Sequence, residues 1–248
     1  MLKYITLIIC FFTFHQFIYS QTFLDGNKDR ESLHFSLSSG AIFPTGDISN
    51  KDAASYSSGY AHTGFNMELN FGFNLVNSWD FVVKGAYFYM GTKIDGLFTS
   101  LMYQYQMYGD TISYGHWNIL GILAGVSYKN KLAKKIYVEN SIYAGFLNFQ
   151  PREIEFYFHN FYGIGTPVDV KYSESSTLQI AFNYSLLLGY QISKKMSLGI
   201  GFDYLYSRPK FNLTKKIHEL DKDTEYKTSI TRNVNLINLN LNFRYSVF

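Results

Sequence analysis

Cysteine is nearly absent from this 248-residue chain, with Cys10 the only one. Because Cys10 falls inside a segment read below as a signal, the mature chain is expected to hold no disulfide and no cysteine-ligated metal. Long apolar runs are missing as well. Beyond the first ~20 residues no stretch reaches the ~18 continuous apolar residues of a membrane-crossing helix, which excludes helical spanning. Charge is sparse: charged residues are 17% of the chain and the formal net charge is +3, too little to argue for nucleic acid as a partner. No H-x-x-x-H spacing suggests a zinc site, and no G-x-S-x-G frame surrounds any serine.

Aromatic residues are plentiful, at 19%. Residues 63–75 show how they are used. Phe65, Met67, Leu69, Phe71, Phe73 and Leu75 share one parity, while Asn66, Glu68, Asn70, Gly72 and Asn74 hold the other. Side chains of a strand alternate between faces, so this segment has one apolar and one polar face. Its length satisfies the ~9–11 tilted residues with which a strand crosses a bilayer. Similar patterns run through Leu178–Ile192 and Leu239–Phe248.

The first 20 residues read as a secretory signal. Lys3 supplies the positive start, Ile5–Phe14 the apolar stretch, and Ile18–Ser20 a cleavage site that leaves Gln21 first. Residues 21–248 then form one domain. Eight strands are predicted, at about 33–43, 63–76, 80–91, 117–128, 136–149, 178–192, 196–207 and 233–248. Their connections alternate between short (77–79, 129–135, 193–195) and long (44–62, 92–116, 150–177, 208–232). That asymmetry belongs to barrels with short periplasmic turns and long extracellular loops. The fourth strand is ambiguous, because Leu120, Ile122 and Leu123 load both parities.

Alternation alone leaves open which face points outward, and a secreted, soluble lipocalin-like barrel has its apolar face inside. The polar parity argues against that arrangement. It is made mostly of small or neutral residues such as Ser36, Ser38, Asn66, Asn70, Ser141, Asn183, Asn240 and Asn242, which suit a cramped lumen better than a water-exposed surface. The expected fold is all-β: an eight-stranded antiparallel transmembrane β-barrel, an up-and-down meander with both ends on the short-turn side.

Several segments resemble the outer-membrane β-barrel domain family widespread in Bacteroidota, which comprises small OmpX- and OmpA-barrel-like, PorT-type chains. They are Gly40-Ala-Ile-Phe-Pro-Thr-Gly-Asp47, Trp117–Tyr128, Lys134–Gly145 and Asn242–Phe248. The resemblance covers nearly the whole predicted mature chain and implies architecture, not chemistry. It also implies integral residence in the outer membrane among lipid and lipopolysaccharide, and delivery by the barrel assembly machinery. One departure concerns Phe248, which lies off the parity of Leu239, Leu241, Phe243, Tyr245 and Val247, whereas such barrels usually end on an outward aromatic.

Ionisable residues on the inward parity are His34, Glu68, Lys84, Glu139, Asp203 and Arg244. They read as a buried ion-pair network, with a proton or ion path as the alternative. The histidines His62, His116, His159 and His218 fall in different long loops, so no metal site is expected. Ser113 lies near His116 without a catalytic frame, so no catalysis and no cofactor are expected. The loop rings Tyr103, Tyr105, Tyr108, Phe156, Tyr157, Phe158, Phe161 and Tyr162 are expected to pack between two adjoining hairpins, 92–116 and 150–177, leaving residual faces for an extracellular glycan or protein. The sequence thus reads as a small outer-membrane barrel with a structural or surface-interaction role. The alternatives are a small-solute channel and a lipid-modifying enzyme.

Overall fold

The structure, a computed structural model, describes residues 33–52, 58–76, 78–93, 95–105, 108–159, 168–219 and 222–247. The predicted signal segment and Phe248 lie outside these residues. Eight strands close into an antiparallel barrel: β1 (Leu33–Gly46), β2 (Ala61–Val76), β3 (Trp79–Thr92), β5 (Trp117–Lys131), β6 (Ile136–Gln150), β9 (Thr177–Gln191), β10 (Met196–Ser207) and β13 (Val234–Val247). Each pairs with the next along the chain, and β13 pairs with β1 to close the ring. Hydrogen-bonded partners can be followed once around from Phe35 through Phe71, Val83, Ala124, Ala144, Phe182, Tyr206 and Asn235. The path returns to β1 at Thr45, ten residues further along. That stagger tilts the strands by about 35–45° and leaves an interior that side chains just fill.

The exposed face follows the alternation. Leu241 is 71% exposed and Ile122 65% exposed, and Ile142, Leu178 and Ile200 lie at similar values around the ring. Ring pairs border this belt, Trp79 with Tyr128 at the short-turn end and Phe65 with Tyr89 at the other. In β5 the doubly loaded parity resolves cleanly: Leu120 and Ile122 point out, while Trp117, Ile119 and Leu123 are fully buried.

At the long-loop end the chain is more regular than expected. Five further strands, β4 (Tyr108–Tyr114), β7 (Ile154–His159), β8 (Val168–Glu174), β11 (Lys210–Glu219) and β12 (Lys222–Thr231), form a second sheet in the order β12-β11-β8-β7-β4. Below them the barrel walls run β13-β10-β9-β6-β5, so the second sheet continues five neighbouring walls beyond short breaks at 232–233, 208–209, 175–176, 151–153 and 115–116. The expectation of a 92–116 hairpin is corrected here. That segment forms a helix, α1 (Asp95–Tyr105), followed by the single strand β4, which pairs with β7. Segment 150–177 does form the hairpin β7–β8. Segment 208–232, one of the long connections, is the hairpin β11–β12.

The lumen is layered. Toward the long-loop end it is filled by Ile42, Phe88, Met90, Trp117, Ile119, Phe149, Leu205 and Leu236, each 0–1% exposed. The inward face, read from the sequence as mostly small or neutral, is large and apolar in this half. Its polar residues occupy the other half, toward the short turns.

Candidate functional site

The polar half of the lumen gathers all six ionisable residues singled out from the sequence, each at most 4% exposed. Lys84 donates from Nζ to Glu68 (3.0 Å), Asp203 (3.1 Å) and Asn183 (3.0 Å), which uses all three of its donors. Its ammonium also lies 4.5 Å over the Tyr143 ring. Glu68 and Asp203 each accept a second bond, from Asn66 and Asn240. Arg244 donates to Glu139 at 2.7 Å. His34 faces Asp80 at 3.9 Å, and Asp80 in turn accepts from Asn74 at 3.0 Å. Asp80, 7% exposed, is a fourth acid that the sequence reading missed. It lies on the same inward parity as Lys84 at the first turns of β3, so strict parity counting would have found it.

Between these groups lies a cavity of about 30 Å³, lined by Ser36, Asn70, Lys84, Glu139, Asp203, Arg244 and neighbours. It has room for about two waters, and water suits it. Asn70 Oδ1, Asn242 Oδ1 and Arg244 Nη1 have no hydrogen-bond partner among the described residues, and burial without one is unfavourable. At about 30 Å³ the cavity is of water size rather than substrate size. The ion pairs around it cross-brace the barrel: Lys84 on β3 and Asp203 on β10 stand four places apart in a ring of eight.

The loop rings divide. Phe156 and Phe158 are fully buried, and the Phe98 ring of α1 stacks on both. Tyr157 points the opposite way at 39% exposure, and Tyr103 is 81% exposed. Tyr105 ends α1 and Tyr108 begins β4, while Phe161 and Tyr162 lie outside the described residues. The buried rings form a small core with Leu97, Leu101, Ile154, Val168 and Val170. They fix the second sheet rather than offering it to a ligand.

The four histidines do not converge. His62 is exposed on β2, the His116 ring packs on Tyr89 at 4.9 Å, His159 ends β7, and His218 on β11 pairs with Asp223 at 2.7 Å. Among the described residues no group of three His, Cys, Asp or Glu could hold a metal ion.

A second cluster, which the sequence reading did not anticipate, sits where the barrel meets the second sheet. Arg232 donates twice to Glu174, one bond being 2.8 Å, and once to the carbonyl of Ser58 at 3.2 Å. Trp117 Nε1 donates to the carbonyl of Gly59 at 3.0 Å. Arg152 lies beside them, 4.9 Å over the Tyr60 ring and 5.8 Å over Trp117. Both arginines sit in the breaks between wall and sheet, where the pairing of strands gives way and a long side chain can turn inward. Only the position of those breaks could have signalled them, and the sequence does not mark it.

No protein-family model and no curated protein matches this chain. Among solved structures it is similar to neisserial surface protein A, with a TM-score of 0.50 and 11% sequence identity over 88% of this chain and 98% of that one. It also resembles a major outer membrane protein from Thermus thermophilus (TM-score 0.48, 12% identity, 87% and 100% covered). A third is the outer membrane protein OprG from Pseudomonas aeruginosa (TM-score 0.48, 10% identity, 87% and 97% covered). At such identities the likeness to the neisserial protein speaks for the fold alone, and the fold is that of a small, eight-stranded outer-membrane β-barrel.

Proposed function

We propose that this protein resides in an outer membrane as a structural barrel that presents its second sheet outside the cell. The observation that carries this is the apolar belt, in which side chains such as Leu241, Ile122 and Ile200 stand 63–71% exposed around a closed ring. An apolar surface of that extent is stable only against hydrocarbon. The short turns would then face the periplasm and the second sheet the exterior, with lipid and lipopolysaccharide as neighbours and the assembly machinery as the route of insertion. Kinship with the Bacteroidota barrel family belongs to the same proposal.

Five lysines support the placement of the periplasmic rim. Lys131, Lys134 and Lys135 lie at one short turn, and Lys194 and Lys195 at the next; Lys129 turns inward, its ammonium 4.4 Å over the buried Tyr137 ring. The two turns are neighbours, since Gln191 N–H donates to the carbonyl of Lys135 at 2.7 Å. Ammonium groups just below an apolar belt fall at the depth of phospholipid headgroups.

Transport of solute is not part of the proposed role, since packed side chains such as Phe88, Trp117 and Phe149 fill the lumen above the polar chamber. Nor is catalysis, because in the polar chamber Lys84 engages Glu68 and Asp203, and Arg244 engages Glu139. Any extracellular glycan or protein would meet a mixed outer face carrying Glu155, Tyr157, Asp169 and Lys171, whose aromatic partners are turned inward. Fractionation with heat-modifiable gel mobility tests the membrane assignment, and recovery as a soluble protein without detergent defeats it. Planar-bilayer recording tests the filled lumen, where stable large conductances would turn the reading into a channel.

A further inference from the structure

The cluster at the junction of barrel and second sheet holds more positive charge than its own acids answer. Glu174 is engaged by Arg232 through both carboxylate oxygens. Arg152, 4% exposed, keeps Nε and Nη1 without a hydrogen-bond partner among the described residues. Its surroundings are the Tyr60 ring, the Trp117 ring, the second guanidinium and the Glu174 carboxylate that this guanidinium already holds. Aromatic faces attract a cation but accept no conventional N–H bond, and an arginine retains its charge at neutral pH. A buried guanidinium left so is costly unless something meets both its charge and its donors.

The backbone beside it is also held in an unusual state. Tyr60 has φ 53°, in the left-handed region that a bulky residue rarely enters. It is kept there by Tyr60 N–H donating to the Asn50 carbonyl (3.0 Å), by Lys93 N–H donating to the Tyr60 carbonyl (2.9 Å), and by its hydroxyl donating to the Asp52 backbone carbonyl (3.2 Å). Gly59 allows the turn because a Cβ there would lie 2.3 Å from the carbonyl oxygen of Ile48. The result places the Tyr60 ring under Arg152.

We infer that Arg152, with Arg232 and Tyr60 around it, forms a buried site for a small monovalent anion of halide size. The site is closed to solvent, since Arg152, Tyr60 and Trp117 are each at most 4% exposed. The two guanidiniums against one carboxylate select for charge. An anion there would join the β1–β2 connection through Tyr60, the β6–β7 break through Arg152 and the β12–β13 break through Arg232. It would lock the second sheet onto the barrel.

Bromide is the probe. Crystals of the full chain grown or soaked in bromide should give one anomalous peak within hydrogen-bonding reach of Arg152 Nε and Nη1. In detergent, at ionic strength held constant with gluconate, the unfolding midpoint should climb with bromide and level off as the site fills. Arg152→Gln should remove the saturable part and leave only the general salt response. An anomalous-silent site in the wild-type crystal overturns the inference, and so does a saturable bromide response that Arg152→Gln retains. The crystal decides the matter even if the variant fails to fold.

Discussion

Lys84 and Asp203 reach each other from opposite walls of the barrel, Nζ standing 3.1 Å from Oδ1, with Glu68 completing a triad at 3.0 Å. All three lie at most 3% exposed. Removing the cation leaves two carboxylates buried together, so Lys84→Met should cost about 3–5 kcal/mol. The triple variant Lys84→Met, Glu68→Gln, Asp203→Asn should recover most of that loss, because the uncompensated charge is gone. Urea unfolding of the protein folded into lipid vesicles measures both; equal losses in the two variants would show that the triad contributes by packing rather than by charge.

Arg244 and Glu139 form the second brace. Arg244→Ala should lower stability by about 3–5 kcal/mol by stranding Glu139, which is 4% exposed. Because Lys84 and Arg244 engage separate carboxylates, their losses should add to within about 0.5 kcal/mol. Strong non-additivity would mean that the two pairs work as one network through the cavity between them.

The outer belt makes a different prediction, since there the solvent is lipid. Leu241 lies at mid-strand in β13 and is 71% exposed. Leu241→Arg should destabilise the barrel by about 2–4 kcal/mol in vesicles, while a charge nearer the rim should cost about 0–1 kcal/mol. An arginine tolerated at Leu241 would contradict burial of that face in hydrocarbon.

The barrel was legible in the sequence because each wall must satisfy one rule throughout, apolar outward and polar or small inward. Strand limits such as Met196–Ser207 follow from it directly. The second sheet was much less legible. In β11–β12 the outer face holds Lys216, His218, Asp223 and Glu225, and the inner face still carries Lys215, Thr224 and Tyr226, so no parity is purely apolar. Helix α1 was hidden for another reason: its sequence, Asp-Gly-Leu-Phe-Thr-Ser-Leu-Met-Tyr-Gln-Tyr, is rich in residues that strands also favour. Its place is decided by Phe98 stacking on β7, a tertiary contact. The candidate charges of the lumen were found by parity. That they pair was expected from their shared face; which acid meets which base was not legible, because it depends on the ten-residue stagger.

The lysine arc on the short-turn rim should give the barrel a preference for anionic phospholipid. Each lysine near such a surface contributes about 1 kcal/mol. Replacing Lys134, Lys135, Lys194 and Lys195 with glutamate should therefore abolish any enrichment of phosphatidylglycerol over phosphatidylcholine around the protein in mixed bilayers. Unchanged enrichment would place those turns away from the headgroups.

The Arg152 site predicts a pH dependence whose sign follows from burial. Loss of solvent pushes the Arg152 guanidinium down to about 9, with Arg232 pushing the same way and Glu174 opposing. Tyr60, a further titratable group facing it, is pushed up by its own burial. Without an anion, then, Arg152 is charged in both folded and unfolded chains below about pH 9, and its burial is fully unfavourable there. Above that value the folded chain sheds a proton that the unfolded chain keeps, so stability should rise with pH across the interval up to the ordinary arginine value. A bound anion holds the proton on, and the rise should shrink in bromide. Bromide affinity should be level near neutral pH and fall about tenfold per pH unit once the anion-free site loses its charge. Titrations of the unfolding midpoint with bromide near neutral pH and near pH 10 test this. An affinity unchanged between them would show that the charge on Arg152 is not what holds the ion.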